Sequence, residues 1–181
     1  GLRDAGKLGP GQKVLINGAS GGVGTFAVQV AKALGAEVTG VCSTRNVELV
    51  RSLGAHEVLD YTKDALLSHR DSFDVVFETV GKLPFKDSLT LVKPQGTIIT
   101  GSEMPAQMLK RVLGGKGGKQ VTVIGGTAAE SAADMQLIAD LWQRREIRPV
   151  IDSTFPLERI RDAHTLAESG KKVGSVVITL P

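Results

Sequence analysis

The sequence predicts a doubly wound α/β fold, a parallel six-stranded sheet with helices on both faces and three layers in all. Three observations carry this. Short β-branched runs alternate with segments of helical period along most of the chain, the pattern that builds parallel sheets covered on both sides. Glycine, 22 of the 181 residues, closes many of these segments. Aromatic side chains are few, five Phe, one Tyr and one Trp, which suits a sheet packed between Ala- and Val-rich helices.

The elements follow in order. Residues 13–17 read as a buried first strand. Residues 22–34 read as a helix whose apolar face is Val23, Phe26, Ala27, Val30, Ala31 and Leu34, closed by Gly35. Residues 37–42 form the second strand, 46–53 a short helix ended by Gly54, 57–61 the third strand and 64–70 a helical turn. The fourth strand, 73–80, stops at Gly81. Residues 84–92 suit a helix that tolerates Pro84 in its first turn. The fifth and sixth strands are 96–100 and 120–124. Thr127 and Glu130 have capping-box spacing, and a long helix follows to about residue 146, with Met135, Ile138 and Trp142 on one face. The tail differs: a strand at 149–151, a helix at 157–168 and a strand at 173–180, with breaks at Pro149 and Pro156. Residues 1–146 therefore read as the sheet domain and 147–181 as an appendix to it.

Composition excludes several classes. A hydrophobic content of 41% is too high for a disordered chain. No apolar run approaches a membrane span, and the first residues lack the apolar core of a secretion signal, so the expected location is the cytoplasm. The formal charge of +3 is too small, and the basic residues too scattered, to argue for nucleic acid. A single cysteine, Cys42, excludes an internal disulfide and a multi-cysteine zinc site. His56, His69 and His164 have no ligand spacing, and no bound metal is expected.

The most informative stretch is residues 17–24, Asn-Gly-Ala-Ser-Gly-Gly-Val-Gly, between the first strand and the first helix. A helix N-terminus there offers unpaired N–H groups and a positive dipole end to a pyrophosphate. Gly21 and Gly22 let the phosphates approach, and Gly24 lets the helix pack against the strand. Ala19 replaces the first glycine of the strict fingerprint. The end of the second strand selects the cofactor. An NAD site places a carboxylate about 20 residues after the turn; here stand Ser43, Thr44 and Arg45, with no acid to repel a 2′-phosphate. This favours NADP.

These residues, together with Ala33-Leu-Gly-Ala-Glu-Val38, Ser52-Leu-Gly-Ala55 and Val58-Leu-Asp-Tyr61, resemble the medium-chain dehydrogenase/reductase superfamily, above all its zinc-independent NADPH:quinone oxidoreductase branch. The likeness extends into the tail at 160–170 and 174–178. It implies a Rossmann fold that binds NADPH for hydride transfer to a quinone, enone or similar activated double bond. It also implies an N-terminal catalytic domain, to which 147–181 would belong as a return segment, so that the chain by itself would be inactive. Carried over position by position, the cofactor contacts are Gly21, Gly22, Val23 and Gly24 at the pyrophosphate, with Ala19 and Ser20 of the same turn also counted as cofactor-binding. Ser43, Arg45 and Tyr61 surround the 2′-phosphate. Thr79, Val80, Gly81, Gly101 and Ser102 lie at the ends of the fourth and fifth strands. Lys172 resembles a basic position near the phosphate pocket and is not counted among them. No catalytic residue is assigned. The resemblance further implies a homodimer through the edge of 120–124.

Two rivals remain. Gly18-Ala-Ser20-Gly-Gly22 also satisfies the nucleophile elbow of α/β-hydrolases, with Ser20, Asp152 and His164 in the chain order of that triad. Only one strand precedes the elbow, Gly24 is then unexplained, and His164 reads as a partly buried, hydrogen-bonded side chain. The other rival is a nucleotide-binding module without catalysis. The glycine-rich run 114–118 lacks the phosphate-loop ending and reads as a linker, and Cys42 reads as a buried, inert thiol.

Overall fold

The computed structural model describes residues 2–3, 6–101, 112–113, 120–125 and 131–180. Strands β1 (Lys13–Asn17), β2 (Glu37–Cys42), β3 (Glu57–Asp60), β4 (Phe73–Glu78) and β5 (Val92–Thr100) alternate with helices α1 (Gly22–Ala33), α2 (Val47–Ser52) and α3 (Phe85–Leu91). Next come the short β6 (Val112–Leu113), β7 (Gln120–Gly125) and α4 (Ala132–Gln143). The tail holds β8 (Ile151–Pro156), α5 (Ile160–Glu168) and β9 (Ser175–Thr179).

The main sheet has the order β3-β2-β1-β4-β5-β7-β6. Six strands run parallel, as the alternation predicts, in the arrangement of a doubly wound dinucleotide-binding sheet. The two-residue β6 was not foreseen; it pairs antiparallel with Gln120 and Val121 at the far edge. β8 and β9 form a separate parallel pair.

The sheet is buried on both faces because successive residues point opposite ways. Val14 and Ile16 join a cluster with Val28, Ala31 and Val50, so α1 and α2 cover that face. Leu15 and Val76 join one with Leu91 and Ile98, so α3 covers the other. Val14, Leu15 and Ile16 are all fully buried, each worth about 1.5–3 kcal/mol against exposure.

Several boundaries differ from the expectation. α1 buries Gly24, Ala27, Val28 and Ala31 together with Thr25 and Gln29, while Val23 is exposed. At Gly24 the helix comes so close to the turn that a Cβ would stand 2.8 Å from Ala19 Cα. Gln29 is the odd member. Its amide donates to the Arg148 carbonyl at 2.9 Å and accepts the Arg148 N–H at 2.8 Å, holding the start of the tail. α4 is capped by Ser131, whose Oγ accepts the Asp134 N–H; the expected box at 127–130 lies outside the described residues, as does the 114–118 linker. The tail strand falls at 151–156 instead of 149–151, where it pairs with β9 across a register shift between Ile151 and Ser153. Met135 and Trp142 of α4 and Ile151, Leu157, Ile160 and Leu180 of the tail are exposed.

Candidate functional site

The carboxyl ends of β1 to β4 open on a cleft of about 370 Å³. The strand order reverses between β1 and β4, and a doubly wound sheet takes its ligand at that switch point. The turn after β1 forms the floor. Gly18 holds φ +81°, and its N–H and that of Ala19 both donate to the Val41 carbonyl, tying the turn to β2. A Cβ on Gly18 would stand 2.6 Å from Thr79 Oγ1, and one on Gly24 2.8 Å from Ala19 Cα. Glycine is therefore needed twice, once for the β4 exit loop and once for α1. α1 then starts with no side-chain cap, leaving its positive end without a side-chain anion.

The walls come from three other places. Arg45, after β2, donates from Nη2 to the Lys171 carbonyl at 2.7 Å. The buried Asn46 amide donates to Ser20 Oγ at 3.0 Å and Ser43 Oγ at 3.3 Å, fastening the two turns together. The tail arrives from far along the chain. The Gly174 N–H donates to the Ser20 carbonyl at 2.8 Å, and Lys172 Nζ donates to the Gly174 carbonyl at 2.7 Å. A Cβ on Gly22 would lie 3.1 Å from that ammonium.

Charge in the cleft has one sign. Arg45, Lys82 and Lys172 line it, and among the described lining residues there is no carboxylate. Asp60 stands next to it at the end of β3, engaged by Thr44, Thr62 and Lys63. The Thr44 hydroxyl is the main cause that holds its pKa down to about 2, against desolvation and with help from Thr62 and Lys63. Asp152 is also held below the ordinary carboxylate range, first by the Ser153 hydroxyl, then by the Val173 N–H, with Arg45 and Lys172 nearby. Burial, assisted by Asp60, pushes the Cys42 thiol up to about 11.

Of the expected contacts, Ser20, Gly21, Ser43, Arg45, Tyr61 and Val80 line one cleft. Ala19 is fully buried beneath the turn. Gly22 faces Lys172, and Gly24 lies inside the α1 contact. Val23 is 60% exposed and is not among the lining residues. Thr79 Oγ1 donates to the Asn17 carbonyl at 2.7 Å, Gly81 gives its N–H to Glu78, and Gly101 is exposed beyond β5. Ser102 lies outside the described residues. Lys82, Leu66, Leu83 and Asn46 also line the cleft and carry no local signal that would have marked them. Lys172 does have one, the basic pair after Gly170, but only the folded chain brings it to the turn.

The hydrolase triad is not assembled. Ser20, Asp152 and His164 make no hydrogen bond to one another: Ser20 accepts from Asn46, and Asp152 accepts from Val173 and Ser153. His164 is exposed on α5, not partly buried, because that helix turns its Leu157–Ile160 side outward. Among the described residues no three His, Cys, Asp or Glu side chains converge to hold a metal, and no helix is long and apolar enough to cross a membrane.

The family model described as zinc-binding dehydrogenase matches residues 53–178. The chain belongs to the medium-chain dehydrogenase/reductase superfamily. A mitochondrial NAD(P)H oxidoreductase of Mus musculus is 35% identical over 94% of this chain and 48% of its own length. The acryloyl-coenzyme A reductase of Metallosphaera sedula is 35% identical over 99% of this chain and 54% of its own. The quinone oxidoreductase of Coxiella burnetii superposes with a TM-score of 0.85 at 27% identity, covering 99% of this chain and 56% of that one. This superfamily member thus spans about half the length of the relatives it matches.

Proposed function

We propose that the chain holds NADPH in this cleft and is the cofactor-binding part of an oxidoreductase that reduces a quinone, an enone or a similar activated double bond. The observation that carries the reading is a basic cleft with no carboxylate among its described lining residues, set over a glycine turn at the switch point of the sheet. The turn fits a dinucleotide, since a side chain on Gly22 would occupy the space before the Lys172 ammonium. The bound cofactor supplies a hydride. Gly21, Gly22 and Gly24 admit the pyrophosphate to the first turn of α1, with Ala19, Ser20 and Val23 framing it. Ser43 and Arg45 take the 2′-phosphate beside Tyr61, and Arg45 gives up the Lys171 carbonyl to do so. Thr79, Val80, Gly81 and Gly101 continue the wall along the carboxyl edge, with Ser102 next in sequence. The double-bond substrate class is supported by the relatives named for quinone and acryloyl-coenzyme A reduction.

The exposed apolar residues of the tail support its docking against a catalytic domain, as the half-length match to the relatives also does. A homodimer through residues 120–124 is part of the same reading; β6 pairs with Gln120 and Val121 on that edge. Amide chemical-shift mapping with NADPH tests the site. Shifts centred on residues 19–24, 43–45 and 61 are expected, and saturable binding that leaves those residues unmoved would sink it.

A further inference from the structure

Glu78, the last residue of β4, is a buried glutamate, 3% exposed, and buried glutamates are uncommon. Its Oε1 accepts the N–H groups of Val80 at 2.6 Å and Gly81 at 2.7 Å. Its Oε2 accepts the Leu83 N–H at 3.0 Å and the Asn17 side-chain amide at 2.7 Å. The loop between β4 and α3 has no ladder to satisfy its N–H groups, and this one side chain satisfies three of them. All four partners are donors. A carboxylate accepts at both oxygens, whereas an amide of the same shape accepts at one.

The consequence reaches the cleft. Val80, Lys82 and Leu83 form its β4 wall, and Asn17 stands at its floor. Thr79, held on the Asn17 carbonyl, comes so close to Gly18 that no Cβ fits between them. We propose that Glu78 is a positioning residue, which seats the 79–83 wall on the glycine turn so that the cleft accepts its dinucleotide. This rests on the cofactor reading above.

The test is Glu78→Gln, which keeps the shape but turns one amide N–H₂ toward two donors. Hydrogen exchange of ligand-free chain and NADPH titration are measured on it, on the parent chain and on the double variant N17D/E78Q, in which the new carboxylate at position 17 can accept from the introduced amide. Loss of hydrogen bonds to a charged acceptor predicts exchange in 79–83 at least about tenfold faster and NADPH binding about tenfold weaker in E78Q. The double variant should recover a good part of the exchange protection of 79–83, the readout that a carboxylate placed in the cleft lining at position 17 leaves interpretable. Unchanged exchange would overturn the proposal. Faster exchange with unchanged affinity would overturn it too, leaving Glu78 a structural anchor only. If E78Q does not fold, Glu78→Asp, which keeps the carboxylate but shortens its reach, is held to the same two outcomes. Absence of NADPH binding by the parent chain would overturn the cofactor reading and this proposal with it, and the exchange comparison, which needs no ligand, shows whether the wall itself depends on Glu78.

Discussion

Gly24→Ala sets two effects of opposite sign against each other. Gly24 lies in the first turn of α1, and alanine in a helix is favoured by about 1 kcal/mol. Against that, the added Cβ would overlap the Gly18 carbonyl oxygen, its nearest neighbour, and stand 2.8 Å from Ala19 Cα and the Gly18 carbonyl carbon, where ordinary contact begins at 3.4 Å. Both neighbours are backbone, so no side chain can swing away. The helix must lift from the turn by roughly 1 Å, at an overpacking cost of about 3 kcal/mol or more. The clash wins, with a net loss of about 2 kcal/mol or more and a fall in Tm of at least about 4 °C for a chain of this size. Scanning calorimetry measures it, with Gly9→Ala as control, since a Cβ on Gly9 meets nothing within 4 Å. The same lift displaces the first N–H groups of α1, so NADPH affinity should fall about tenfold. A G24A chain as stable as the parent would show that propensity wins and that α1 is not seated on the turn as described.

Arg45→Ala removes an exposed side chain whose hydrogen bond is to one carbonyl, so stability should stay within about 0.5 kcal/mol. NADPH binding should weaken about tenfold or more while NADH binding is unchanged, read by paired titrations. Asp60 has a folded pKa of about 2, below the ordinary value near 3.9. Its contribution is therefore present above pH about 4 and lost as pH falls toward 2; Asp60→Asn should flatten the decline of Tm over that window. With its pKa raised to about 11, Cys42 at pH 8 holds about one thiolate in a thousand. A disulfide reagent should react with it at least about a hundredfold more slowly in the folded chain than in urea, and equal rates would show the thiol to be open.

The strand–helix alternation is legible because a short continuous apolar run such as 14–16, bounded by polar residues, differs from the 3.6 period of 22–34. The glycine turn was legible because a close approach leaves no choice of residue at Gly24. The buried face of α1 was legible only in part. Periodicity places Val23, Phe26, Ala27, Val30, Ala31 and Leu34 on the core face; Ala27 and Ala31 are buried there, but the buried stripe also takes in Gly24, Thr25, Val28 and Gln29 and leaves Val23 exposed. The clasp of Gln29 on Arg148 and the clamp of Glu78 on Asn17 join residues more than sixty positions apart, and polar side chains on buried faces give no periodic signal. Lys172 was readable as basic but not as a wall of the cleft, because Gly174 must first dock on Ser20. Asp60 was invisible for the complementary reason: it lies one strand away from the position where an acid is sought, and Thr44 and Thr62 engage it.

The dissociation constants of NADPH and NADH, measured side by side on this chain at one ionic strength, bear most directly on the central claim. Arg45, Lys82 and Lys172, with no carboxylate among the described lining residues, predict that NADPH binds at least about tenfold tighter, with the preference shrinking as salt screens the phosphate. Equal affinities, or tighter binding of NADH, would contradict it.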